Sequence, residues 1–172
     1  MNAALEALYS RRSIRKYKAD QITDEELQQV LKAGTLAPSG MNRQSAIIVA
    51  VQDAEQIAYL SQLNRAVKNY GNDPFYGAPT VLVVLAEADS PFAWQDGSLV
   101  MGNLMNAAEA IGLGSCWINR AKEVFDSDAG RELLKKWGIE GNYIGIGNCI
   151  LGYKAEDPAV KPRKENYVTI IR

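Results

Sequence analysis

Residues 96–118, "DGSLVMGNLMNAAEAIGLGSCWI", constrain the fold of this chain more than any other stretch. Leu99, Val100, Met101, Leu104, Met105, Ala107, Ala108, Ala110 and Ile111 fall on almost every face of one helix. A helix that is apolar all round is buried all round. It is either the central helix of one core or a helix with a second subunit packed beside it, and periodicity alone does not choose. A chain of 172 residues is about one domain long, and at that size a second subunit covers such a helix more easily. Gly112 and Gly114 end the helix, and "SCWI" leads into a strand.

The rest of the pattern alternates. Residues 2–9 read as a short helix. "TDEELQQVLKAGTLAPSG" opens with a capping box from Thr23 to Glu26, carries Leu27, Val30, Leu31 and Ala33 on one face, and stops at Gly34 and Pro38. "SAIIVAVQ" (45–52) reads as a strand, followed by a helix through Ile57, Leu60 and Leu63. "PTVLVVLAEA" (79–88) is a continuous β-branched run, the mark of a strand covered on both faces. A polar helix over about 121–137 precedes the strand "YIGIGNCILGY" (143–153), and a polar tail ends in the strand-like "YVTII". The class is α/β or α+β. No linker, repeat or low-complexity tract interrupts it, so residues 1–172 read as a single domain.

The inventory excludes much chemistry. With no histidine, the serine–histidine and cysteine–histidine pairs are absent, as is the commonest zinc ligand. Cys116 and Cys149 form no CxxC, so no metal site is expected and both read as buried thiols. Gly145-Ile-Gly147 is no dinucleotide fingerprint, because strand-like residues follow it, and there is no GxxxxGK. No signal peptide is evident, and the most apolar runs are too short to span a bilayer. A cytoplasmic protein without membrane contact is expected. If it is an enzyme, the hard chemistry belongs to a bound cofactor.

Two segments stand out as binding elements. "RRSIRKYK" (11–18) collects five cations in a chain of net charge −1. It reads as a solvated face, a nucleic-acid arm or a small-molecule phosphate site. The placement of Ser13 among the arginines, and a second basic cluster "KPRK" (161–164), favour phosphate without deciding it. "APSGMNRQ" (37–44) is a turn after a helix, in which Asn42 and Gln44 each carry a donor and an acceptor suited to the edge of a heterocycle.

Taken in order, Arg-Arg-Ser-x-Arg, "APSGMN-Q", "APTVLVV", the apolar helix into "AIGLGSCWI" and "GY…PAVKPRK" resemble the nitroreductase family of FMN-dependent oxidoreductases across nearly the whole chain. The resemblance implies an α+β, three-layer fold, with a central mixed, mostly antiparallel sheet wrapped by helices. It also implies an intertwined homodimer in which the C-terminal arm (154–172) adds a strand to the partner's sheet. By the same resemblance, Arg11, Arg12, Ser13 and Arg15, within a basic phosphate-binding segment (1–18), hold the FMN phosphate and ribityl chain. Lys161 and Arg163 close on that phosphate. Pro38, Ser39, Gly40, Asn42 and Gln44 line the flavin from the partner subunit. The backbone around Ile118, Asn119 and Arg120 offers an N–H near flavin N5, and Arg15 is the candidate to stabilise charge at N1 and the C2 carbonyl. The implied reaction passes two electrons from NAD(P)H, by a ping-pong route, to a nitroaromatic, quinone or similar acceptor. The alternatives are a specialised flavin enzyme of the same fold (a dehalogenase, a dehydrogenase or a flavin-degrading enzyme) and a non-catalytic flavin- or nucleic-acid-binding protein.

Two departures from the family pattern bear on the site. Many members continue the loop as Asn-x-Gln-Pro-Trp, whereas this chain reads Asn42-Arg43-Gln44-Ser45-Ala46. The chain is also short for the family, which leaves "RAVKNYGNDPFYG" (65–77) as the candidate lid, its Tyr70, Phe75 and Tyr76 either stacking on an aromatic substrate or packing at the dimer edge.

Overall fold

The computed structural model describes residues 2–69 and 71–172. Its helices are α1 (Ala3–Ser10), α2 (Asp24–Thr35), α3 (Ala54–Ala66), α4 (Ala93–Ala110), α5 (Ala121–Asp126) and α6 (Asp128–Lys136). The strands are β1 (Ala46–Val51), β2 (Thr80–Glu87), β3 (Leu113–Ile118) and β4 (Tyr143–Tyr153), in the sheet order β1-β2-β4-β3. All three strand pairings are antiparallel, and the parallel component is the bridge from Ser13 to Ser115 at the β3 edge.

Side chains alternate across a strand, and β2 divides its residues accordingly. Leu82, Val84 and Ala86 join α2 and α4 in one core, while Val81, Val83 and Leu85 join α3, α5 and α6 in the other. The result is three layers, with the sheet between two helical layers. Gly145 and Gly147 lie in β4, and the ladder slips between Val84 and Leu85 opposite them. A Cβ on Gly145 would stand 2.2 Å from the Ala121 carbonyl oxygen, so glycine here lets the start of α5 lie directly on the sheet.

Several local expectations change. The 121–137 helix is two helices broken at Ser127, whose hydroxyl caps α6 by accepting from the Gly130 N–H at 3.1 Å. Gly112 takes a left-handed φ of 84° after α4, whereas Gly114 is a strand residue of β3. α4 is not buried all round within one chain: Val100, Met101, Leu104 and Ala108 face the core while Trp94 and Leu99 are exposed. Beside it α1 buries no residue and exposes Leu5, Leu8 and Tyr9. "YVTII" forms no strand within the single chain. No helix among the described residues is long and apolar enough to cross a membrane.

The predicted capping box is present and extends beyond its helix. The Glu26 carboxylate accepts from the Thr23 N–H at 2.8 Å, the Thr23 hydroxyl at 3.0 Å and the Tyr153 hydroxyl at 2.7 Å, tying α2 to the end of β4. The Thr23 N–H first, and Tyr153 next, hold this carboxyl below its ordinary value. A carboxyl with a depressed folded pKa stabilises the fold above its unfolded pKa, and that contribution is lost as pH falls through the folded value. Glu26→Gln therefore melts below the parent at pH 7, and thermal melts show the gap closing as the pH drops below about 4.

Candidate functional site

The basic segment is fastened rather than loose. Ile14 is buried, its N–H donates to the Ser115 carbonyl at 3.0 Å, and the Tyr17 hydroxyl donates to the Ile14 carbonyl at 2.7 Å. Burial pushes the Tyr17 hydroxyl pKa upward, so it remains a donor. On the other side the Lys18 N–H donates to the Tyr153 carbonyl at 3.0 Å, the Ala155 N–H donates to the Lys16 carbonyl at 3.0 Å, and the Arg15 N–H donates to the Glu156 carboxylate. Residues 13–18 are thus laced between the β3 edge and the start of the C-terminal segment.

This lacing leaves guanidinium groups available. Arg12 donates to the Tyr9 carbonyl at 2.8 Å and to the Arg11 carbonyl at 2.7 Å, while its buried Nε has no partner. No hydrogen bond or ion pair engages the guanidinium group of Arg11 or of Arg15 among the described residues. Arg15 lines a cavity of about 340 Å³ together with Tyr76, Trp117, Ile118, Asn119 and Arg120. Arg120, just past β3, holds a left-handed φ of 76°, a conformation that costs a non-glycine residue on the order of 1 kcal/mol. Of the lid candidates, Tyr76 is at this cavity and half exposed, whereas Phe75 is fully buried in the α3–α5 core and presents no face to a ligand. Tyr70 lies outside the described residues.

The 37–44 loop is equally well anchored. The buried Asp96 carboxylate accepts from the Gly40 N–H at 2.8 Å and from the Ser45 hydroxyl at 3.1 Å. Ser39 accepts from the Gln44 N–H at 3.1 Å, and the Gln44 amide donates to Asn42 at 3.1 Å. Met41, Asn42 and Gln44 all take left-handed φ, at 54°, 53° and 53°. Pro38, Ser39, Gln44 and Ala46 line a separate cleft of about 380 Å³. Ala46, the first residue of β1, is a small wall of this cleft.

The two predicted binding elements do not meet within one chain. The loop enters β1 at one edge of the sheet, while Ser13 bridges β3 at the other. At roughly 4.8 Å per strand spacing the two lie about 19 Å apart across the sheet. Lys161 and Arg163 belong to the exposed segment after Glu156, and they make no hydrogen bond or ion pair among the described residues.

Two positioning residues were not anticipated. Asp96 holds the loop, and its signal was an acid at the start of an otherwise apolar helix. Asn64 is fully buried and donates to the Asn119 carbonyl at 2.8 Å. It stands four residues after Leu60 on the apolar stripe of α3, where an amide needs a partner.

The chain is 29% identical over 191 residues to an NADPH-flavin oxidoreductase of Vibrio harveyi, covering 99% of this chain and 73% of that protein. A nitroreductase with bound FMN from Bacteroides fragilis superposes with a TM-score of 0.90 at 30% identity, covering 100% of both chains. An FMN-dependent nitroreductase from Clostridium difficile R20291 gives a TM-score of 0.82 at 27% identity, covering 99% of both. The Nitroreductase family matches residues 8–69 and 61–153. With the three-layer fold and these likenesses together, the chain belongs to the nitroreductase family.

Proposed function

We propose that this chain is an FMN-dependent NAD(P)H oxidoreductase that works as a homodimer, with residues 1–172 forming one cofactor-binding domain. The observation that carries the reading is the basic segment pinned on the β3 edge beside an arginine-lined cavity. The guanidinium groups of Arg11 and Arg15 in that segment engage no hydrogen-bond or ion-pair partner among the described residues. FMN, when bound, would supply the two-electron chemistry between NAD(P)H and a nitroaromatic, quinone or similar acceptor by a ping-pong route.

The chain's own residues bind, orient and screen. Arg11, Arg12 and Ser13 hold the phosphate through charge-assisted hydrogen bonds. Arg15 stabilises negative charge at the N1 and C2 edge of the ring. The Ile118–Arg120 backbone offers an N–H to N5, and Tyr76 flanks the incoming acceptor. The anchored loop, with Pro38, Ser39, Gly40, Asn42 and Gln44, comes from the partner. A twofold pairing that sets the β1 edge of one copy beside the β3 edge of the other supplies each site with both elements. The exposed apolar residues of α1 and α4 support that pairing. Lys161 and Arg163, on the C-terminal arm, close over the phosphate. The two free, buried cysteines suit a reducing compartment, and we place the protein in the cytoplasm.

The test is the visible spectrum of the purified protein before and after anaerobic NADH or NADPH. Flavin bands that bleach support the reading. A protein that stays colourless after incubation with FMN overturns it and returns the basic segment to nucleic-acid binding, which salt-dependent RNA or DNA retention checks. Arg11→Gln removes one charge-assisted contact of roughly 1.5–3 kcal/mol, so FMN fluorescence titration shows a dissociation constant raised at least about tenfold.

A further inference from the structure

We infer that Asn64 is a positioning residue that aims the Arg120 backbone N–H into the cavity, an inference that rests on the flavin reading above. The Asn64 side chain lies in the core between α3 and the sheet, and its Nδ2 grips the Asn119 carbonyl at 2.8 Å. The Asn119 carbonyl and the Arg120 N–H belong to one planar trans peptide, in which they point in opposite directions. Holding the carbonyl toward the core therefore turns the N–H away from it, at a segment that lines the cavity with Arg15 and Tyr76. The next residue, Ala121, begins α5 after the left-handed Arg120, so the peptide is clamped on both sides.

The interior behind this peptide is built at a cost that packing alone does not explain. Asn64 Oδ1 is buried without a partner, as are both amide atoms of Asn148, which pairs with Ile118 in the β3–β4 register. An unpaired buried polar atom costs about 1–3 kcal/mol, and leucine at position 64 would continue the apolar stripe of Ile57 and Leu60. An amide retained there serves the one bond it makes, to Asn119.

Asn64→Leu removes the grip while keeping the branching of the side chain, and Leu60→Ala, one turn earlier on the same buried stripe, is the control for general loss of core stability. The first readout is amide hydrogen exchange at Val124, whose N–H donates to the Arg120 carbonyl at 3.0 Å, in the protein prepared without FMN. Asn64→Leu speeds exchange there about tenfold beyond the control when the two are compared at equal margin below their melting temperatures. The second readout is sulfite titration of FMN-loaded protein, since sulfite adds reversibly at flavin N5 and reports donors near it. Its dissociation constant rises about tenfold in Asn64→Leu and stays within about twofold of the parent in Leu60→Ala. Local exchange and sulfite constant that both track the control would make Asn64 a core residue only and overturn the inference. A protein that takes up no FMN fails the flavin reading, and the exchange readout still decides whether Asn64 holds the turn.

Discussion

Gly145→Ala lowers the melting temperature by roughly 6–12 °C, the consequence of a destabilisation of about 3 kcal/mol in a chain of this length. The added Cβ would meet the Ala121 carbonyl oxygen at 2.2 Å, its carbon at 2.3 Å and the Lys122 nitrogen at 2.8 Å. All three are backbone atoms, so no rotamer change relieves the overlap, and α5 must move off the sheet. Gly147→Ala is the internal comparison. There the nearest atoms belong to the Trp117 indole, at 2.7 Å, and to the end of Met101, at 3.1 Å, and side chains can shift. Its cost is accordingly smaller. Because α5 begins directly after Arg120, displacing its first turn also displaces the peptide assigned to flavin N5. Gly145→Ala thus loses FMN affinity as well as stability. A variant that melts within about 2 °C of the parent and loads FMN equally well would mean that this close approach supports neither the fold nor the site.

Much of the architecture was legible because burial leaves a periodic trace. The continuous apolar run of β2 and the Thr23–Glu26 capping box both read through directly, since each is decided by local chemistry. What failed to read through depends on contacts distant in sequence. Phe75 looked like a lid residue in a polar stretch, yet the Asp73 carboxylate turns residues 73–77 by accepting from the Phe75 N–H at 2.9 Å and the Gly77 N–H at 2.7 Å. That turn drives the Phe75 ring into the core. The break at Ser127 was hidden because the apolar spacing continues on either side of it. α4 misleads in a different way. Its composition demands burial on every face, and the single chain satisfies only part of that demand. The site follows the same rule. The arginines and the turn were visible as motifs, whereas their separation to opposite sheet edges is a property of strand order, which no local pattern encodes.

In the proposed homodimer, removing residues 157–172 leaves a monomer in light scattering and weakens FMN binding at least about a hundredfold. The cut retains Ala155 and Glu156, so the bonds that lace the basic segment to Lys16 and Arg15 survive, and the fold of the single chain keeps its melting transition. What is lost is an arm that covers nothing in its own chain. Val160, Tyr167, Val168, Ile170 and Ile171 are all more than two-thirds exposed, an arrangement that free solvent disfavours and a partner surface repays. The outer edge of β1 is open, and an open edge accepts a strand. "YVTII" has the β-branched and aromatic composition to be that strand. On the proposed assignment the affinity loss has two parts: Arg163 and Lys161 leave the phosphate, and without the dimer the partner's Pro38–Gln44 loop no longer reaches the ring. Lys161→Gln with Arg163→Gln in the full chain separates them. That double variant remains a dimer and loses roughly tenfold or more in FMN affinity, through the charge-assisted bonds alone. A truncated chain that stays dimeric with unchanged FMN affinity would assign the pairing to α1 and α4 and leave the arm with no part in the site.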